Sequence, residues 1–69
     1  MAYDKEIEKI LSDEDWHSTK EITRKITEMR KKEANWHLVY RELAKLRETG
    51  MIEKIEKPRI ILWKLKTRS

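Results

Sequence analysis

The chain has 69 residues, of which 43% are charged, and its formal net charge is +4 at pH 7. A chain of this length forms one domain with one small core. It contains no cysteine, which excludes a disulfide framework and a thiolate metal site. No apolar run approaches the length of a membrane span and no signal peptide is visible, so we expect a cytoplasmic protein.

Basic side chains are concentrated in the second half of the chain. Residues 1–29 hold five basic and eight acidic side chains, a net charge of −3, whereas residues 30–69 hold twelve and five, a net charge of +7. A basic half is typical of a small domain that binds a polyanion, and an ordinary solvated surface is the alternative. The many Lys and Glu residues, with one Gly and one Pro, resemble the composition of thermophile proteins.

The first half of the chain predicts two helices joined by a short extended piece. Apolar residues recur at helical spacing from Tyr3 to Leu11, which predicts a first helix over about residues 3–12. After an acidic turn, Trp16 and His17 predict a short strand. The segment 18–21 (STKE) matches a capping box, in which the Ser hydroxyl caps the helix and the Glu side chain reaches back. It predicts a second helix over about residues 19–30.

A third amphipathic helix is predicted over residues 35–49. Asn35 is a good N-cap, and Gly50 suits the left-handed conformation with which many helices end. We expect the apolar face of this helix, together with Trp63, to pack in the core, while the position of Trp16 stays open. That face carries Trp36, Val39, Tyr40, Leu43 and Leu46.

The last part of the chain predicts a β-hairpin with strands at residues 51–55 and 60–66 and a four-residue turn between them. Both faces of the hairpin are apolar, which a small open sheet rarely needs. One face carries Ile52, Ile61, Trp63 and Leu65, and the other carries Met51, Ile55, Ile60 and Leu62. The second face either packs near Trp16 or is exposed, in which case we expect a homodimer through Ile55, Ile60 and Leu62.

The element order α-β-α-α-β-β resembles the winged helix-turn-helix domain of small archaeal, thermophile-like transcription regulators. The likeness covers nearly the whole chain and is carried by the segments 16–22 (WHSTKEI), 43–53 (LAKLRETGMIE) and 63–65 (WKL). It implies an α+β fold, a single domain over residues 1–69, with three helices and a small antiparallel sheet. Two features depart from the pattern, since the stretch 31–34 lengthens the connection between helices two and three and the wing is short.

The resemblance implies a sequence-reading protein that binds double-stranded DNA, with helix 35–49 in the major groove and wing 54–59 on phosphates. Arg and Asn side chains can pair with guanine and adenine, although capping competes for Asn35. The candidate base-reading residues are Asn35, His37, Leu38, Arg41 and Lys45. The candidate phosphate contacts are Thr19, Lys20, Thr23, Arg30, Lys31, Lys32, Lys54, Lys57 and Arg59.

Other functions of the same fold remain open at the level of sequence. A winged helix can also bind another protein, or act on RNA or in replication, and Lys and Pro at a hairpin tip also protect a sheet edge from aggregation. An enzyme is not expected, because the two histidines lack a metal-binding spacing and a single glycine cannot build a phosphate loop. We therefore expect no catalytic or metal site, no cofactor and no small-molecule substrate, and a location on the nucleoid in the cytoplasm.

Overall fold

A computed structural model describes residues 3–66, so the predicted domain over residues 1–69 extends beyond the described residues at both ends. The predicted order α-β-α-α-β-β is confirmed. Within the described range, none of the helices is long and apolar enough to cross a bilayer. The elements are α1 (Asp4–Leu11), β1 (His17–Ser18), α2 (Thr19–Arg30), α3 (Trp36–Glu48), β2 (Ile52–Lys57) and β3 (Ile60–Leu65).

The three strands form one antiparallel sheet in the order β1-β3-β2. The central strand β3 places Trp63 opposite His17 on one side and opposite Lys54 on the other. Trp63 is fully buried, as predicted, and the helices cover it with aliphatic side chains. The other fully buried side chains are Ile7, Leu11, Ile22, Ile26, Val39 and Leu43.

Helix α2 begins with half of the predicted capping box. The backbone N–H of Glu21 donates to Ser18 Oγ at 3.0 Å, which satisfies one of the free amides of the first turn. The Glu21 carboxylate does not complete the box, which corrects that prediction, because it lies 2.8 Å from Nδ1 of His17 instead. Glu21 therefore links α2 to β1.

Helix α3 ends in a Schellman motif at the predicted glycine. Gly50 has a φ of +82°, its N–H donates to the Arg47 carbonyl at 3.0 Å, and the N–H of Met51 donates to the Leu46 carbonyl at 3.1 Å. Helix α2 also ends in a left-handed residue, but there the residue is Lys31, with a φ of 57°. The sequence did not indicate this second left-handed end.

The wing, which is the β2–β3 hairpin, has a tighter turn than predicted. Lys57 pairs with Ile60, so only Pro58 and Arg59 lie in the turn and the prediction of a four-residue turn is wrong. The residues Glu56 and Lys57 continue the ladder because β-branched Ile60 and Ile61 favour pairing opposite them. We call residues 57–60 the wing tip.

The second apolar face of the hairpin lies on the outer side of the sheet. Ile55 pairs with Leu62, as the predicted shared face requires. Ile55 and Ile60 are 38% and 42% exposed, and Leu62 is half-buried. Trp16 is also half-buried, and the ammonium of Lys64 lies 5.6 Å from the centre of its ring.

Candidate nucleic-acid interface

Strand β1 fixes the start of α2 against the strand that leads to the wing tip. Ser18 pairs with Leu62 of β3 and is also the N-cap of α2. The indole Nε1 of Trp63 donates to Thr19 Oγ1 at 2.7 Å in a buried hydrogen bond. Since these contacts anchor the first residues of α2 to β3, Lys20 is held close to the hairpin.

A hollow of about 460 Å³ lies between the start of α2 and the wing tip. Lys20 lies at its α2 side, Lys57 and Arg59 lie at its wing side, and Trp36 of α3 forms part of its wall. All four side chains are exposed. The fold therefore brings Lys20 close to two other predicted phosphate contacts, Lys57 and Arg59, which lie 37 and 39 positions later in the sequence.

A second hollow of about 480 Å³ lies between Trp36 and the outer side of α2. Its walls include Lys20, Thr23 and Arg24, and Trp36 and Lys20 border both hollows. Arg24 is exposed and follows Lys20 by one helical turn. We refer to the two hollows together as the cleft, and to Lys20, Arg24, Lys57 and Arg59 as the cleft cations.

The cleft cations have no acidic partner in the described part of the chain. Two carboxylates border the cleft, but Glu21 lies 3.3 Å from Lys25 and 2.8 Å from His17, and Glu56 lies 3.4 Å from Lys54. Within residues 3–66, none of the cleft cations forms an ion pair. Like charges that share a surface repel each other, so this surface favours an anionic ligand.

Trp36 is exposed in the cleft, and the prediction that it packs in the core is wrong. It is 48% exposed although Val39, three residues later, is fully buried. Helical side chains lean toward the helix N-terminus. Trp36 is the first residue of α3, so its ring extends beyond the N-terminal end of the helix and away from the core.

A series of aromatic contacts links Trp36 to the core. Its ring stacks on Tyr40 with ring centres 5.6 Å apart and an angle of 24° between the planes. The Tyr40 ring meets buried Trp63 edge-on at 5.8 Å, and His37 meets Trp36 edge-on at 5.3 Å. The exposed indole is therefore supported by a half-buried ring and, through it, by the centre of the sheet.

His17 holds the start of α2 by contacts with two carboxylates. The side chain is buried, Nδ1 lies 2.8 Å from Glu21 and Nε2 lies 2.9 Å from Asp13. Burial by itself lowers the pKa of His17, but the hydrogen bonds with Asp13 and Glu21 outweigh it, so that the pKa is raised above its ordinary value. The same contacts lower the pKa of Asp13 and of Glu21.

The predicted base-reading residues lie on the exposed side of α3. His37, Leu38, Arg41 and Lys45 are all exposed. Asn35 caps the helix, since its Oδ1 accepts from the N–H groups of His37 and Leu38 at 2.9 and 3.3 Å. Bidentate pairing with adenine needs both the oxygen and the nitrogen of the amide, and the cap occupies the oxygen.

Three of the predicted phosphate contacts make structural contacts within the protein. The hydroxyl of Thr19, a buried residue, accepts the Trp63 hydrogen bond, and Thr23 Oγ1 donates to the Thr19 carbonyl at 2.8 Å. Lys54 is half-buried, and its ammonium lies 3.4 Å from the Tyr40 hydroxyl and 5.5 Å from the Trp63 ring centre. Thr19 and Thr23 border the cleft but use their hydroxyls within the protein, and Lys54 does not line it.

The basic run Arg30, Lys31 and Lys32 lies at the far end of α2. Arg30 Nε donates to Glu6 of α1 at 2.7 Å, and the guanidinium lies over the Tyr3 ring at 4.5 Å. A twelve-residue helix is about 18 Å long, so this run lies well away from Lys20. The structure does not bring the run together with the cleft cations.

Sequence reasoning missed Trp36 and Arg24 as members of this site. Arg24 could have been identified, because Lys20 and Arg24 are four positions apart on a predicted helix and residues at that spacing lie on the same side of the helix. No comparable signal existed for Trp36, whose spacing to Val39 and Tyr40 fits the apolar face equally well.

Comparison with known proteins identifies one similar solved structure. No protein-family model and no curated protein matches the chain. The chain is similar to hsRosR-S1, a RosR winged-helix transcription regulator solved in a complex, with a TM-score of 0.87 and 27% sequence identity. The match covers 96% of this chain and 59% of that one. The chain thus has the winged helix-turn-helix fold and spans 59% of the length of this neighbour.

Proposed function

We propose that this domain binds double-stranded DNA and acts in transcription regulation. The observation that carries the proposal is the cleft, which is bordered by four cations from α2 and the wing that form no ion pair within residues 3–66. DNA phosphates are the counter-charge that such a surface favours, and their contacts supply most of the affinity of DNA-binding proteins. The likeness to a RosR transcription regulator supports the same function.

In this proposal, α3 lies in the major groove and the wing tip contacts phosphates. His37, Leu38, Arg41 and Lys45 face the base edges, where Arg41 can donate two hydrogen bonds to guanine and Leu38 can contact a thymine methyl. Asn35 contributes at most its amide nitrogen, because its oxygen caps the helix. The protein then resides on the nucleoid in the cytoplasm.

A salt titration tests DNA binding. Affinity for a short mixed-sequence duplex is measured by fluorescence anisotropy over a range of salt concentrations. Four phosphate contacts predict a log–log slope of about −3 to −4. Absence of measurable duplex affinity at low salt would contradict the proposal and leave a protein-binding module as the function of the fold.

Base reading by α3 has a separate test. Binding-site selection from random duplexes supplies a preferred sequence, against which Arg41→Ala is compared with Arg47→Ala, an exposed arginine near the end of the same helix. Arg41→Ala is expected to lose preference at one base pair, at a cost of about 1–3 kcal/mol, whereas Arg47→Ala keeps it. If both variants keep the same base preference, Arg41 does not read a base in the major groove.

The outer face of the sheet favours association of two copies of the chain. On this face Ile55 and Ile60 are exposed and Leu62 is half-buried, and Ile60 also borders the cleft. We propose that this surface pairs two protomers, which sedimentation of the wild type and of Ile55→Glu can test. The wild type is expected to show a dimer at high concentration that the variant lacks, and a monomeric wild type at every concentration would exclude the dimer.

A further inference from the structure

The exposed indole of Trp36 neither packs in the core nor belongs to the predicted base-reading residues of α3. An exposed tryptophan at a helix start, with 48% of its surface in water, loses the stabilisation that burial would give. It also lies among cations, since Lys20 borders it on the α2 side and Lys57 and Arg59 border the same hollow on the wing side. The site therefore combines one large apolar surface with a surrounding positive charge.

The Trp36 ring is also held in a defined position. Asn35 caps the helix directly before it, and the ring stacks on Tyr40, which in turn contacts buried Trp63. Because the ring is already ordered, a ligand that covers it has little side-chain freedom to remove. An ordered, exposed aromatic ring is well suited to an apolar contact in an otherwise electrostatic interface.

The cleft cations lie on two sides of Trp36, an arrangement that suits the alternation of phosphate and sugar along a DNA strand. Lys20 and Trp36 border both hollows, Arg24 borders only the hollow beside α2, and Lys57 and Arg59 border only the hollow beside the wing tip. If each pair of cations holds a phosphate, the group between them is the deoxyribose, whose C–H groups form the apolar part of the backbone.

We propose that Trp36 packs its indole against the deoxyribose of a strand whose phosphates are held by the cleft cations on either side. This inference rests on the proposed function, and it adds a contact residue that the charge pattern of the sequence does not indicate. The contact is apolar and independent of base identity. It therefore contributes affinity without counterion release and without base preference.

The test compares Trp36→Ala and Trp36→Phe with Met29→Ala in binding to the mixed-sequence duplex. Met29 is a matched control because it is a large apolar side chain, 42% exposed, near the far end of α2. Trp36→Ala is expected to weaken binding about tenfold, Trp36→Phe less, and Met29→Ala not at all. The log–log salt slope of Trp36→Ala is expected to equal that of the wild type, since no phosphate contact is lost.

Two further measurements identify the contact. Acrylamide quenching of tryptophan fluorescence is expected to fall when duplex is added to the wild type, and this change is expected to be absent in Trp36→Phe. Replacing thymine by uracil throughout the duplex removes the thymine methyl groups, and we expect unchanged affinity because the deoxyribose remains. A uracil duplex that loses the same factor as Trp36→Ala would identify a thymine methyl as the contact and overturn the deoxyribose assignment.

The outcomes separate this inference from the proposed function. If the wild type binds duplex and Trp36→Ala binds equally well, the inference is wrong and the proposed function stands. If Trp36→Ala only lowers the melting temperature and keeps its affinity, the ring has a structural role and the inference is again wrong. If the wild type itself shows no duplex affinity, both are wrong.

Discussion

The two ends of helix α2 both carry basic residues, but they lie in different surroundings. At the first end, Lys20 and Arg24 are exposed beside the wing tip and Trp36, without acidic partners within residues 3–66. At the last end, Arg30 is paired with Glu6 and lies over the Tyr3 ring. The densest cationic run of the sequence therefore begins with a residue that holds α1 to α2.

This difference shows that a basic interface depends on which cations meet in space and lack partners, not on their density along the chain. The wing tip lies next to the start of α2 because β1 pairs with β3 directly before the helix begins. The end of α2 lies about 18 Å further on, next to α1. Substitutions at the wing tip and at each end of α2 test this difference.

The largest effect is expected at the wing tip. The double variant Lys57→Ala/Arg59→Ala should weaken duplex binding about a hundredfold at low salt and reduce the salt slope by about 2, because two phosphate contacts are lost. The matched double variant Lys31→Ala/Lys32→Ala should change affinity by less than about twofold. Anisotropy titrations measure both, and a larger loss from the second variant would reverse the assignment of the two regions.

A smaller effect is expected at the first end of α2. Lys20→Ala/Arg24→Ala should weaken duplex binding about tenfold, less than the wing variant, because backbone N–H groups at a helix start still favour a phosphate. Lys25→Ala is the control, since Lys25 is paired with Glu21 3.3 Å away. If Lys20→Ala/Arg24→Ala and Lys25→Ala bind the duplex with equal affinity, the first end of α2 does not contact DNA.

The side-chain contacts at the two ends of α2 should also stabilise the fold over different pH ranges. The raised pKa of His17 gives stability that is fully present below its ordinary value of 6.5 and is lost as pH rises through the raised value. The lowered pKa values of Asp13 and Glu21 give stability that is present above their ordinary values of 3.8 and 4.5 and is lost as pH falls through the lowered values. The contribution of the first end is therefore greatest between pH 4.5 and pH 6.5.

Denaturant unfolding over about pH 2 to 9, which spans the titration of His17 and of the carboxyl groups with lowered pKa values, measures this contribution. The wild type should lose stability above pH 6.5, and His17→Gln should lack that decline. At the last end of α2, Arg30 lowers the pKa of Glu6, so the stability that this pair contributes is lost only in acid. The variant Glu6→Gln should therefore still lose stability above pH 6.5, as the wild type does. A decline that persists in His17→Gln would show that another group causes it.

The smallest effect concerns the left-handed residue at the last end of α2. Lys31 has a φ of 57°, where a side chain costs about 1 kcal/mol, and glycine avoids this cost but gives the unfolded chain more freedom. Lys31→Gly should therefore raise the free energy of unfolding by about 0.5 kcal/mol. Gly50→Ala, at the corresponding position of α3 with a φ of +82°, should lower it by about 1 kcal/mol although nothing lies within 4 Å of the added Cβ.

Most of the fold follows from short-range signals in the sequence. The cap at Ser18, the cap at Asn35 and the stop at Gly50 are local hydrogen-bond devices, and each acts as predicted. The turn was less predictable, because strands end where pairing ends, and Glu56 and Lys57 have no strong propensity that would extend β2.

The cleft was only partly predictable. Lys20, Lys57 and Arg59 could be identified as exposed cations, but their proximity depends on the β1–β3 pairing. Arg30 and Lys54 have the same charge, and only their tertiary neighbours show that they stabilise the fold. The position of Trp36 depends on how far α3 extends past the core, which no periodicity in the sequence records.

The pairing of Lys57 with Ile60 limits how the hairpin can grow. Successive residues of a strand face opposite sides, so one additional pair inserted between the Glu56–Ile61 pair and the Lys57–Ile60 pair would turn Lys57 to the other face of the sheet. Two additional pairs would restore its orientation and move the turn outward by about 7 Å. Insertions that keep the charged tip on the same side can therefore change its reach only in increments of this size.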